Sequence, residues 1–191
     1  MSRQAKTTHV TPEEYLALER AAEYKSEYLD GEIFAMVGAS RKHNLIAGNV
    51  FASLKQLLRD RPCETYISDM RVKIPAANLY TYPDVAVVCG ESQFEDEAVD
   101  TLLNPTLIVE VLSKSTASYD RTAKFGYYRT LASVTEYLLV AQNDYHVEHY
   151  AKQADSRWLL ADIRGLESRV ELASVGCTLA LSEIYDRVSL D

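Results

Sequence analysis

Two carboxylates and one lysine carry the sharpest chemistry in this sequence. Glu110 stands inside Leu107-Ile108-Val109-Glu110-Val111-Leu112, an apolar run of the kind that forms a buried strand. Burying an unpaired charge costs several kcal/mol or forces the group to neutralise. Glu110 therefore needs a partner. Asp84, entered through Pro83, opens the preceding β-branched run Val85 to Val88. Sequential strands are usually neighbours, which would bring both carboxylates to one point. Two carboxylates held close repel unless one takes a proton or a cation sits between them. A hard divalent cation with oxygen ligands, magnesium or manganese, answers that repulsion. Such an ion could bind a phosphate oxygen and activate a water. Downstream, Asp120, Lys124 and Tyr127 or Tyr128 share one face of an expected helix. A lysine tip reaching the carboxylate pair could orient a nucleophilic water or stabilise a pentacovalent transition state.

Each of these residues also has a plainer reading. Asp84 could be a turn residue after proline, satisfied by backbone amides. Glu110 could be a strand-end carboxylate paired with a lysine or arginine. Lys124 could form a surface pair with Asp120, worth a few tenths of a kcal/mol. Tyr119, Tyr127 and Tyr128 could stack on bases, although aromatics at helical spacing are more often core. His43 could face a cleft or simply occupy the first turn of a helix. Asp69 could mark a bulge or support the site.

The elements that must position these residues follow from local pattern. Thr11-Pro12-Glu13-Glu14 opens a helix running to about Ala22, with a capping threonine, proline in the first turn and acids at the positive end of the dipole. Asp30-Gly31 between two short runs predicts a hairpin. From Arg41 to Arg59 apolar residues recur with helical spacing. Strand material follows from Cys63 to Pro75, broken near Asp69, and then come the strands of Asp84 and Glu110. The stretch from Glu91 to Asp100 is expected to be an acidic solvated loop. A second helix spans Ser118 to about Ser133, capped by Ser118. Three strands in meander order lie in "EYLLVAQ", "YHVEHYAK" and "SRWLLADI", and a short helix is expected in the tail, Leu181 to Val188. This order predicts a mixed α/β (α+β) domain.

Composition narrows the classes. At 191 residues with 47% hydrophobic and 25% charged content, a single globular domain over residues 11–191 is expected, after a loose leader over residues 1–10. No run is long enough to cross a bilayer, and the polar N-terminus does not read as a secretory signal. Cys63, Cys89 and Cys177 are odd in number and far apart, which argues against a disulfide framework or zinc cluster and suits a reducing cytoplasm. His146 and His149 would lie on opposite faces of a strand as ordinary edge residues. The net charge of −8 counts against casual nucleic-acid binding. A local basic groove or a bridging metal can still act against that overall field.

Several stretches together resemble one known family. They are "SEYLDGEIFAMVGAS" with His43 soon after, "YISDMRVKI", "YPDVAVV", "LIVEVLSKST" and "YDRTAKFGYYRTLASVTEYLLV". In this order the chain is similar to bacterial restriction endonucleases of the Uma-two type, within the PD-(D/E)XK nuclease superfamily. The resemblance implies a restriction-endonuclease-like core, a central mixed sheet flanked by helices. It implies catalytic Asp84, Glu110 and Lys124, with the Val111 carbonyl as a further metal ligand and Glu27 as an accessory acid. Leu112 stands where the signature lysine belongs. Lys124 from the following helix would replace it, and Lys114, in a segment that reads as a turn, is a rival.

The function expected is hydrolysis of DNA phosphodiester bonds by a magnesium- or manganese-dependent endonuclease, working as a homodimer because a two-fold pair can address both strands. The alternative is a catalytically inactive scaffold or assembly protein that keeps the nuclease fold. A glycosidase using Asp84 and Glu110 would need a sugar cleft lined with aromatics, and Trp158, the single tryptophan, lies far along the chain.

Overall fold

The computed structural model describes residues 9–190. Residues 1–8 of the expected leader lie outside them. Val10 is tied to the first hairpin: its N–H donates to the Gly31 carbonyl at 3.1 Å, and its carbonyl accepts from the Tyr28 hydroxyl at 2.9 Å.

Helix α1 (Pro12–Ala21) opens with a full capping box, Thr11 and Glu14 each satisfying the other's backbone N–H. Strands β1 (Ser26–Leu29) and β2 (Glu32–Ala35) form the hairpin across Asp30-Gly31, both at positive φ as that tight turn requires. Helix α2 (Arg41–Leu57) is capped by Ser40, whose hydroxyl accepts from the His43 N–H at 3.1 Å. Strands β3 (Cys63–Ile67), β4 (Arg71–Ile74), β5 (Leu79–Thr81), β6 (Val85–Cys89), β7 (Thr101–Leu102) and β8 (Leu107–Leu112) follow. The second helical stretch is composite. It runs as α3 (Ala117–Tyr119), a π turn (Asp120–Lys124) and α4 (Phe125–Tyr128). Strands β9 (Glu136–Ala141), β10 (His146–Lys152) and β11 (Trp158–Arg164) form the meander, and β12 (Arg169–Leu172), β13 (Cys177–Ala180) and α5 (Leu181–Ile184) close the chain.

The central sheet has the order β11-β10-β9-β8-β6-β3, with β8 and β9 parallel and the other pairs antiparallel. A second sheet runs β2-β1-β5-β4-β7, and β12 with β13 forms a third. The expected mixed α/β architecture is therefore observed. Side chains alternate across each strand, and this alternation divides the core. Leu107, Val109 and Val111 join α2, α5 and the β12–β13 ribbon in one apolar cluster. Ile108 and Leu112 join the opposite cluster with Phe125, Tyr128, Tyr137 and Leu139. Glu110 shares the parity of that second face. A strand covered on both sides is apolar throughout, and every β8 residue is buried.

Four local readings are corrected. Cys63 and Cys89 form a disulfide, because the β3–β6 register sets them directly opposite each other. Only Cys177 is free among the described residues. Ser118 does not cap its helix; its carbonyl accepts from the Thr122 hydroxyl inside the helical stretch, and no side chain caps α3. His146 and His149 are not edge residues, since β11 covers β10. His149 instead meets the buried Glu136 at 3.1 Å. The acidic stretch is a loop but not simply solvated: Asp96 and Asp100 clamp Arg20, Asp100 also meets Arg71, and Glu95 meets Lys73. Strands β5, β7, β12 and β13 lie outside the pattern reading.

Candidate active site

Asp84 and Glu110 are brought together by register. Val85 pairs with Val109 across the β6–β8 ladder, so one step further Asp84 stands opposite Glu110. The Asp84 Oδ2 accepts the Val111 N–H at 2.7 Å, which fixes the carboxylate at the mouth of the ladder. The same oxygen meets His43 Nε2 at 3.2 Å. His43 comes from the first turn of α2, and the Ser40 cap sets where that turn begins.

The π turn delivers the lysine. Lys124 Nζ lies 2.7 Å from Glu110 Oε1, 3.7 Å from Glu27 Oε1 and 4.0 Å from Asp120 Oδ1. Glu110 is 5% exposed, Lys124 6% and Asp120 3%, so the plain reading of Lys124 as a surface pair does not hold. π turns inside helices are frequent at functional positions. Glu27, on β1, accepts the Thr81 hydroxyl and faces the central sheet, while its neighbour Tyr28 packs with Tyr15 and Tyr80 on the far side. The Tyr128 hydroxyl donates to Glu110 Oε1 at 3.3 Å.

Lys114 is exposed in the turn after β8, so the rival lysine does not join this cluster. Asp69 is exposed and pairs with Lys25 at 2.7 Å; it supports neither a bulge nor the site. Tyr128 is core, packed near Tyr137. Trp158 meets Phe125 edge-on at 5.2 Å within an apolar cluster. Sequence reasoning missed Asp120 as a member of the site, having assigned it only as a partner of Lys124. Its signal was present in the i,i+4 spacing. Gln142 was also missed: it accepts the Ser40 hydroxyl at 2.6 Å and donates to the Leu112 carbonyl at 2.8 Å, joining α2 to the end of β8.

The electrostatics are one-sided. Burial pushes the Glu110 carboxyl up, Lys124 opposes this, and Asp84 and Asp120 add to it. Asp120 is also raised, first by burial and then by Asp84 and Glu27, against Lys124. Burial pulls the Lys124 ammonium down, but Glu110, Glu27 and Asp120 outweigh it and leave it above the ordinary lysine value. Lys124 is therefore a firmly protonated cation among four carboxylates.

Among the described residues, no three His, Cys, Asp or Glu side chains close around a point as metal ligands do. Three of the carboxylates instead turn toward the ammonium. The donor chemistry nevertheless fits a hard divalent cation: Asp84, Glu110, Asp120 and Glu27 are all oxygen donors.

Comparison with known proteins gives this geometry a context. The family described as "Putative restriction endonuclease", Uma2, matches residues 12–182. The chain belongs to the Uma2 family. It is 43% identical over 169 residues to the uncharacterized protein sll1609 of Synechocystis, covering 88% of this chain and 96% of that one. A second uncharacterized Synechocystis protein, slr1290, is 36% identical over 176 residues, covering 92% and 91%. The crystal structure of "a putative nuclease belonging to DUF820" from Anabaena variabilis superposes with a TM-score of 0.74 at 17% identity, over 94% of this chain and 99% of that one. That likeness shows the fold. Family and fold are thus those of restriction-endonuclease-like nucleases, as the sequence resemblance implied. No helix among the described residues is long and apolar enough to cross a membrane.

Proposed function

We propose that this Uma2 chain is a metal-dependent endonuclease that hydrolyses phosphodiester bonds in DNA, with residues 11–191 acting as one catalytic domain. The observation that carries the reading is the buried contact of Lys124 with Glu110 at 2.7 Å, beside Asp84 at the open end of the β6–β8 ladder. Asp84 and Glu110, with the Val111 carbonyl, would hold magnesium or manganese, which supplies charge neutralisation at the phosphate and a more acidic water. Lys124 would orient a water for in-line attack and offset negative charge building on the phosphorus oxygens. Glu27 steadies the lysine from the facing sheet. His43, as an accessory residue, steadies Asp84 through Oδ2. Cutting both strands calls for two copies, so the working form is a homodimer.

One feature favours a different reading, a nuclease-fold scaffold without activity: the ammonium stands where the carboxylates converge. Titration calorimetry with magnesium and manganese separates the two, run alongside plasmid nicking. Wild type binds and nicks; Asp84→Asn and Glu110→Gln lose both; Lys124→Ala keeps metal binding and loses nicking by at least about a hundredfold. Folded wild type that binds no metal sinks the nuclease reading and leaves the scaffold.

A further inference from the structure

The net charge of −8 poses a problem for any protein that handles DNA. Most cations near the site's two layers are already engaged. Lys25 meets Asp69, Arg20 meets Asp96 and Asp100, Lys73 meets Glu95, and Arg121 meets Glu148. Arg41, Lys42 and Lys114 are different. None of the three has an ion pair or a side-chain hydrogen bond among the described residues.

These three also lie on segments that flank the carboxylates. Arg41 and Lys42 immediately precede His43, whose ring touches Asp84. Arg41 follows Ser40, and Lys114 stands two residues after Leu112. A single side chain, Gln142, bridges the Ser40 hydroxyl and the Leu112 carbonyl. The start of α2 and the turn after β8, which flank the carboxylates, are thus stapled together, with Arg41 and Lys42 on the first and Lys114 on the second. The placement is locally unfavourable. Cations in the first turn of a helix oppose its dipole. Helix α1 follows the ordinary rule with Glu13 and Glu14, whereas α2 has no acid in its first turn. Departures from local preference concentrate where function requires them.

We propose that Arg41, Lys42 and Lys114 form a rim that grips the phosphate backbone of double-stranded nucleic acid beside the scissile bond. The rim brings a polyanion to an acidic centre, and backbone contacts of this kind set register without reading sequence. This inference rests on the endonuclease reading for its substrate.

The test is fluorescence anisotropy of a labelled DNA duplex, with calcium in place of magnesium, between about 50 and 200 mM salt. Each lost phosphate contact lowers the salt slope by about 0.9 on B-DNA. The triple variant Arg41→Gln/Lys42→Gln/Lys114→Gln should lose close to three such steps and bind at least tenfold more weakly. Lys55→Gln/Arg59→Gln is the control, at the other end of α2 and roughly 20 Å away at 1.5 Å per residue; it should behave as wild type. Arg41, Lys114, Lys55 and Arg59 are exposed and Lys42 is half-buried; thermal unfolding checks that the variants fold. A triple variant with the wild-type slope overturns the rim, as does a control that falls equally or a wild type that binds no duplex. Nicking by wild type that Glu110→Gln abolishes, with an unchanged triple-variant slope, refutes the rim alone. A rim-dependent slope without nicking supports the rim and refutes the hydrolytic reading.

Discussion

Replacing Glu110 with glutamine should stabilise the metal-free protein, and increasingly so as pH rises. Burial, with Asp84 and Asp120 adding to it, pushes this carboxyl from the ordinary 4.5 up to about 8, against the pull of Lys124. A carboxyl whose pKa is higher folded than unfolded binds more protons in the folded state. Stability therefore falls as pH rises between the two values. One proton corresponds to about 1.4 kcal/mol per pH unit. Between pH 5.5 and 7.5 wild type should lose about 3 kcal/mol relative to Glu110→Gln, which has no proton to release there. Lys124 keeps Glu27 and Asp120 as partners in the variant, so no buried ammonium is left bare. Urea unfolding in chelator at three pH values across that window measures the difference directly. A saturating divalent cation should flatten the wild-type slope and leave the variant unchanged. Parallel pH profiles for the two proteins would refute the argument that Glu110 is buried against an excess of negative charge.

Three further outcomes follow from other contacts. Tyr128→Phe removes a donor to Glu110; it should cost about 1 kcal/mol of stability and move the nicking profile toward higher pH, since the ionised carboxylate has lost support. Reduction of the Cys63–Cys89 bond, or Cys63→Ser, opens a link across 26 residues and should cost about 3 kcal/mol, read as a lower Tm with reductant in wild type but not in the variant. Glu136→Gln weakens a buried acceptor that holds His149, the Ala173 and Ser174 N–H groups and the Ser174 hydroxyl. It should cost about 2 kcal/mol in urea unfolding and leave nicking unchanged. Glu136 pairs with Leu107, three residues or roughly 10 Å along β8 from Glu110.

What could be read without coordinates was what period and composition encode locally. A carboxylate alone in an apolar run marked Glu110, Asp-Gly marked the hairpin, and long helical spacing marked α2. Strands β5 and β7 are three and two residues long, too short for a period to show. In the β12–β13 ribbon only β12 alternates in burial, over four residues, and β13 does not alternate at all. The disulfide was hidden because its two cysteines become neighbours through the β3–β6 register alone, and spacing along the chain carries no trace of it. The π turn was hidden for a related reason: it displaces side chains around the helix without changing the sequence pattern; Ser118 sits inside the helix because α3 already begins at Ala117.

The lysine shows how position can be kept while sequence distance is not. In the E-x-K arrangement the lysine stands two residues along the strand and on the same face as the glutamate. Here that place belongs to Leu112, which is buried in the apolar cluster with Phe125 and Tyr128. The strand cannot bury an ammonium there without a carboxylate beside it. The following helix packs onto the same face, and its π turn carries Lys124 back to Glu110 while adding Asp120. Asp84, Glu110, Lys124 and Glu27 thus come from four elements, β1, the mouth of β6, β8 and the π turn, and each depends on a register. A one-residue slip of β8 would turn Glu110 into the α2 cluster and Val111 toward the lysine. The apolar residues around the site therefore do more than fill space: Val109 against Val85 and Ile108 against Ala86 set the alignment on which the meeting of the charges depends.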